Sequence, residues 1–187
     1  MKKINLFFGV LATLFFISCE GPQGPPGLDG LDGPQGPAGQ DGDLFEAAAF
    51  EIDIDLLLNT GTNTYEFGPE MYPSDITLIP DDVILVYRLE DVVDNLDVWR
   101  QLPQPFFTDQ GLFYYNFDFT SGDYSIFAEP DFDANLMPID LTQNQIFRIV
   151  IVPANLGNTS KIDFTNINSV MSHLGISEKD IQKIKLN

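Results

Sequence analysis

The sequence predicts an all-β protein: an antiparallel β-sandwich with one or two short C-terminal helices, preceded by a signal peptide and a collagen-like Gly-X-Y segment. Short alternating or wholly apolar runs, separated by turn residues, fill most of the chain after residue 43. Helical spacing of apolar residues is confined to the C-terminal end, and an apolar run followed by a glycine repeat forms the N-terminal end. We therefore divide the chain into residues 1–18, 19–43 and 44–187.

The N-terminal stretch MKKINLFFGVLATLFFISC begins with two lysines and continues as an apolar run up to the only cysteine, Cys19. A basic start and a short apolar run are typical of a secretory signal peptide, and the run is short for a transmembrane helix. The closing FISC resembles the lipobox of bacterial lipoproteins, which implies cleavage before Cys19 and a lipid on that cysteine. An uncleaved anchor or an ordinary signal peptide is the alternative interpretation.

After Cys19, a glycine recurs at every third position. These glycines are Gly21, Gly24, Gly27, Gly30, Gly33, Gly36, Gly39 and Gly42. Only glycine fits the crowded axis of a collagen triple helix, so the strict period indicates a collagen-type segment. The triplets contain aspartates but no lysine, so parallel copies would bring like charges together. Two interpretations stay open: a semi-rigid spacer in a monomer, and a short stalk that makes a homotrimer.

The order of lipobox cysteine, EGPQGPPG repeat and acidic β-rich domain resembles the small collagen-like lipoproteins of the Bacteroidetes, especially the flavobacteria. The segments DVWRQLPQPFF, YYNFDFT and TQNQIFRIVIVPA belong to the same resemblance. The resemblance implies a bacterial cell envelope location, as an outer membrane lipoprotein on the periplasmic or surface face. That family has no established activity and supplies no catalytic residues.

The strands of the β domain are predicted from their periodicity. In AFEIDIDLLL, acidic residues from Glu51 alternate with apolar ones, which predicts an outer strand with an acidic face in water. Residues 82–89 and 144–152 are apolar on both sides, which predicts buried strands. Residues 111–120 alternate, and after the SGD turn residues 124–129 pair back as a hairpin.

Helix is predicted only at the C-terminal end. NINSVMSHLG ends on Gly175, a plausible helix C-cap, and SEKDIQKI opens with Ser177 and Asp180 at the spacing of a capping box. We expect these one or two helices to pack against the edge of a sheet or between the sheets.

Charge and cysteine content exclude several classes of function. The chain has nine lysines and arginines against 28 acids and a net charge of −19, which argues against a nucleic-acid partner. Residues 1–18 hold two of the nine basic residues and no acid, so cleavage would leave seven and a net charge of −21. A single cysteine forms no internal disulfide, and no Cys/His spacing suits zinc.

Candidate sites for chemistry are few. The sole histidine, His173, follows Ser172, and neighbours on a helix do not face each other, so we expect no enzyme and no catalytic residues. Asp131, Asp133 and Asn135 have the opening spacing of a calcium loop, although the later ligand positions do not match. No cofactor is expected apart from calcium at that loop.

Two further features are open to a binding or a structural interpretation. Arg148 interrupts an apolar strand, so we expect its guanidinium to pair with an acid, the alternative being contact with a carboxylate or sugar-acid ligand. An aromatic group is either core or a carbohydrate-stacking platform, and spacing by two favours core. The group comprises Trp99, Phe106, Phe107, Phe113, Tyr114 and Tyr115.

These observations predict a membrane-anchored envelope lipoprotein that displays an acidic β-sandwich on a collagen-like spacer and has a structural or interaction role. Its membrane contact is the lipid anchor, and its protein or glycan ligand is unknown. The alternative is a calcium- or carbohydrate-binding module.

Overall fold

A computed structural model describes residues 47–154 and 162–187. The predicted signal peptide, the lipidated Cys19 and the glycine repeat from Gly21 to Gly42 lie outside the described residues. The described part is mostly β, with ten strands in two five-stranded sheets. This confirms the all-β class.

The described residues contain ten strands, one α-helix and three 3₁₀ turns. The strands are β1 (Ala48–Ile54), β2 (Leu57–Asn59), β3 (Thr64–Met71), β4 (Val83–Val93), β5 (Leu96–Gln101), β6 (Gln104–Thr108), β7 (Gly111–Phe119), β8 (Asp123–Pro130), β9 (Gln145–Val152) and β10 (Gln182–Lys185). The helix is α1 (Ile167–Leu174), and the 3₁₀ turns are Ala134–Leu136, Ile139–Leu141 and Glu178–Asp180.

The first sheet has the order β10-β1-β9-β4-β5, and the second has the order β2-β3-β8-β7-β6. Every described pairing is antiparallel except one, because β10 runs parallel to β1, with Ile52 opposite Ile184. The expectation of a wholly antiparallel sandwich is therefore wrong at this edge. A parallel neighbour needs a long return connection, and β1 and β10 lie at opposite ends of the domain.

The two sheets share an apolar core. Phe50 of the first sheet meets Tyr124 of the second edge-to-face, with ring centroids 5.8 Å apart, and Phe147 meets Tyr115 at 6.1 Å. Alternate residues of β4 and β9 enter this core, and the residues between them are buried on the opposite face. The predictions of buried strands at residues 82–89 and 144–152 are confirmed.

Helix α1 packs on the other face of the first sheet. Its buried Val170 and Met171 share an apolar cluster with Leu85 and Val150 of the sheet. The expected position, at a sheet edge or between sheets, is wrong, because β4 and β9 are apolar on both faces and need a cover on the outer one. Gly175 closes the helix at φ 70°, as its predicted role as C-cap requires.

The second predicted helix does not form. Ser177 and Asp180 make the capping box, yet the turn closes after Glu178–Asp180 and the chain continues as β10. Ile181 is buried beneath α1, and β10 adds to the edge of β1. Backbone pairing with β1 therefore outweighs the local helical preference of this segment.

Strand β1 is not the wet outer strand that its alternation predicts. It lies between β10 and β9, and its Glu51 is only 6% exposed. The outer face of the first sheet is covered, so an acid on that face needs partners inside the protein.

Burial of tyrosines makes the fold sensitive to alkali. Loss of hydration raises the pKa of Tyr72 and Tyr115 to about 12, and it also raises the pKa of Tyr87 and Tyr124 well above the ordinary value of 10. The unfolded chain therefore releases these protons first, so their contribution to stability is complete below pH 10 and is lost as the pH rises through about 12.

We predict that the free energy of unfolding, measured by urea denaturation, falls steadily as the pH rises above 10. Phenolate absorbance should rise together with the loss of the fold. Full ionisation of all tyrosines in a protein that keeps its native circular dichroism would contradict this expectation.

Candidate functional site

The two sheets differ in what covers their outer faces. Helix α1 and Ile181 cover the outer face of the first sheet, where Leu85, Tyr87 and Val150 are buried. The outer face of the second sheet carries side chains that are exposed or half-buried. We call this surface the open face and define it by six side chains: Glu66, Phe107, Tyr114, Asp118, Phe127 and Glu129.

Aromatic side chains stand beside carboxylates on the open face. Phe107 is 81% exposed and Tyr114 is 43% exposed. Across the strand pairs, Tyr114 lies opposite Glu129 and Phe127 lies opposite Glu66. Directly opposed residues are the closest neighbours in a sheet, so the rings of Tyr114 and Phe127 each have a carboxylate next to them.

The carboxylate of Glu66 is held in place by its neighbours. It accepts hydrogen bonds from the hydroxyls of Thr64 and Thr62 and from the amide of Asn59, the last two at 3.0 Å. The bond from Thr64 is the largest cause that lowers the pKa of Glu66, followed by the bond from Asn59. Glu66 therefore presents a fixed negative charge at neutral pH.

A shallow groove of about 460 Å³ runs along this part of the open face. Its lining includes the carboxylates of Glu66, Asp118 and Glu129, the ring of Phe127 and the hydroxyl of Ser125. Glu129 accepts a hydrogen bond of 3.2 Å from the amide of Asn116.

Basic side chains are absent from the chain segments that build the second sheet. Residues 44–87 and 101–147 contain no lysine and no arginine. The ion pairs of the described residues all join groups of the first sheet or the turn before β10. The open face is therefore acidic and aromatic.

The residues of the predicted calcium loop have local hydrogen-bonding roles. Asp131 accepts a bond of 2.9 Å from the backbone of Leu112, and Asp133 caps the 3₁₀ turn Ala134–Leu136 and accepts from Asn135. The bonds from Asn135 lower the pKa of Asp133. Within residues 47–154 and 162–187, no three His, Cys, Asp or Glu side chains are arranged to hold a metal ion. Calcium binding stays a prediction.

The predicted aromatic group divides between core and surface. Phe113 and Tyr115 are fully buried, and Phe106 stacks on Phe113 with centroids 5.3 Å apart, which confirms the core interpretation for these three. Phe107 and Tyr114 alternate with them and point to solvent on the open face.

Arg148 pairs with acids, as its sequence context predicts. Its side chain is 1% exposed, and its Nε donates to Glu51 at 3.0 Å while Nη1 and Nη2 donate to Glu178 at 2.7 and 2.9 Å. The guanidinium lies 4.4 Å from the ring centroid of Trp99, and Lys183 reaches the other oxygen of Glu51 at 3.0 Å. We therefore assign Arg148 and Trp99 a structural role in the domain and not a role in binding a ligand.

Arg88 is a second buried arginine, which sequence analysis did not single out. It enters the core between the sheets, where its Nε donates to Gln145 at 2.9 Å and its guanidinium lies over the rings of Tyr115 and Phe106, at 4.6 and 5.2 Å. Among the described residues it contacts no carboxylate, and its Nη1 has no hydrogen-bond partner. The sequence did carry a signal for its burial: like Arg148, Arg88 interrupts an apolar strand.

His173 and Ser172 are both exposed on α1. No helix in the described ranges is long and apolar enough to cross a membrane. No protein-family model matches the chain, and no curated protein or solved structure matches it significantly.

Replacing each of the two buried arginines, Arg148 and Arg88, with methionine compares an arginine that is paired with carboxylates to one that is not. We predict that Arg148→Met lowers the free energy of unfolding by about 3 kcal/mol, because Glu51 keeps its buried charge and loses its main partner. We predict a change below about 1.5 kcal/mol for Arg88→Met, because no carboxylate loses a partner and methionine still packs against the rings.

Urea denaturation of the two variants beside the parent chain checks this difference. A double variant, Arg148→Met with Glu51→Leu, should recover much of the lost stability, since it also removes the buried acid that has lost Arg148. Equal losses for Arg148→Met and Arg88→Met would show that the ion pairs are not what distinguishes the two sites.

Proposed function

We propose that the protein is a membrane-anchored envelope lipoprotein that displays its β domain on a collagen-like spacer and binds a partner through the open face. The observation that carries the binding role is the contrast between the two sheets. The chain covers the outer face of the first sheet with its own C-terminal part, whereas Phe107 and Tyr114 stand in solvent on the second. Exposed aromatic residues grouped on one surface mark interaction sites.

The membrane anchor in this proposal is a lipid on Cys19, and the location is the outer membrane, on its periplasmic or surface face. The basic start, the apolar run and the position of the only cysteine support it. Several acyl chains on one residue would give stable attachment, since each buried methylene contributes about 0.8 kcal/mol.

The spacer in this proposal is the glycine repeat, which would hold the β domain away from the membrane. If three chains form a triple helix there, three open faces are presented together, and a weak partner gains avidity. A single-chain spacer would present one face.

Carbohydrate binding is the second candidate function, and the same Phe107 and Tyr114 favour it. Sugar rings pack on aromatic faces, and carboxylates accept hydrogen bonds from sugar hydroxyls. Both candidates use the open face, so variants of this face test them together.

We predict that mature protein from membranes of its native host carries acyl chains on an N-terminal Cys19. The matched change is Cys19→Ala, which should abolish the lipid and leave the signal peptide uncleaved by the lipoprotein route. Intact mass spectrometry of both proteins checks this. An unmodified Cys19 in the mature parent protein would contradict the proposed anchor.

If the repeat forms a triple helix, the lipid-free mature chain sediments as a trimer and a chain lacking residues 21–43 sediments as a monomer. The single change Gly30→Ala should weaken the trimer, because a side chain does not fit on the triple-helix axis. Sedimentation equilibrium measures all three. A monomeric parent chain would show that the repeat is a spacer.

A further inference from the structure

We infer that the partner of the open face is a cationic polypeptide segment, whose lysine or arginine side chains pair with the carboxylates and pack on the rings of that face. This inference rests on the proposed binding role of the open face and adds the chemistry of the partner. It follows from the charge of the second sheet, the spacing of its outer side chains and the way the protein holds its own Arg148.

The first argument is electrostatic. The segments that build the second sheet contain no lysine or arginine, so the carboxylates of Glu66, Asp118 and Glu129 have no basic neighbour on their own sheet. Glu66 is held ionised by the hydrogen bonds from Thr64 and Asn59. Complementary charge guides encounter and selects partners, so this face favours a cation and repels anionic surfaces.

The second argument is geometric. Outward-pointing residues recur about every 6.8 Å along a strand, and neighbouring strands lie about 4.8 Å apart. An extended polypeptide repeats its own side chains at the same 6.8 Å spacing, so alternate basic residues match the rows of the open face. The row of Tyr114 and Glu129 is followed by the row of Phe127 and Glu66, which pairs one ring with one carboxylate in each.

The third argument comes from the same molecule. Arg148 lies over Trp99 at 4.4 Å and donates to Glu51 and Glu178, so a ring with adjacent carboxylates already holds a guanidinium in this fold. The open face offers the same groups in solvent. A cation over an aromatic face gains from both the ring and the acid beside it.

The charges also favour a cationic polypeptide over a neutral glycan. A glycan would leave three carboxylates beside its hydroxyls without a compensating cation, whereas lysine and arginine neutralise them. An extended cationic chain can also contact the exposed Phe107 at the outer edge of the face, since β6 is an edge strand.

The test is isothermal titration of the lipid-free mature full chain with a hexaarginine peptide, and separately with maltohexaose as the neutral glycan probe. The face variant carries Glu66→Gln, Asp118→Asn and Glu129→Gln. The control variant loses the same charge at exposed acids elsewhere, through the changes Asp75→Asn, Asp94→Asn and Asp97→Asn. A third variant, Phe107→Ala with Tyr114→Ala, keeps the charge.

We expect hexaarginine to bind about tenfold more weakly to the face variant and to the aromatic variant, and to bind the control variant within about twofold of the parent. Urea denaturation of each variant confirms that the fold is retained, since the changed side chains are at the surface. Equal losses in the face and control variants would overturn the inference, because the attraction would then come from net charge alone.

Two further outcomes distinguish a failure of the cationic-partner inference from a failure of the proposed binding role of the open face. If maltohexaose binds and the aromatic variant abolishes its binding, while hexaarginine shows no preference for the face, the binding role stands and the cationic partner is wrong. If neither probe responds to the aromatic variant, the inference falls together with the binding role of the open face. The lipid anchor and the spacer are untouched by either result.

Discussion

The arrangement of the β domain depends on the ion pairs of Arg148. This residue lies on β9, the middle strand of the first sheet, and its guanidinium joins Glu51 on β1 to Glu178 in the turn before β10. These two carboxylates compensate the buried charge of Arg148, and they come from opposite ends of the domain. The same contacts therefore hold the turn before β10 against the sheet.

Helix α1 covers the outer face of the first sheet, whereas the outer face of the second sheet is exposed. In the sequence, the basic residues of the domain fall in strands of the first sheet and after residue 152, while the segments that build the second sheet have none. Packing and charge thus divide the domain into a closed side, held by the chain's own ion pairs, and an acidic aromatic side that faces solvent. The proposed partner would supply to Glu66 and Glu129 the kind of cation that Glu51 finds within the chain.

The alternation of side chains was a reliable guide, although it could not say which faces are covered. It set Phe113 and Tyr115 apart from Tyr114, because successive residues of a strand point to opposite faces. The core interpretation of the aromatic group as a whole was wrong for Phe107 and Tyr114, which are exposed. It was wrong for Glu51. This residue lies in an alternating run that is typical of a strand with one face in water, yet it is buried. Periodicity shows which residues share a face of a strand, but whether that face is buried depends on what packs against it.

The sequence by itself determined the all-β class, most of the strands, the end of the helix at Gly175 and the need of Arg148 for an acid, because these follow from local spacing and local chemistry. Only the tertiary structure decided that Glu51 and Glu178 are those acids, that the last segment is a parallel strand, and that α1 covers a sheet face. The physical reason is distance along the chain: Glu51 lies 97 residues from Arg148, and such pairings depend on the path of the whole domain.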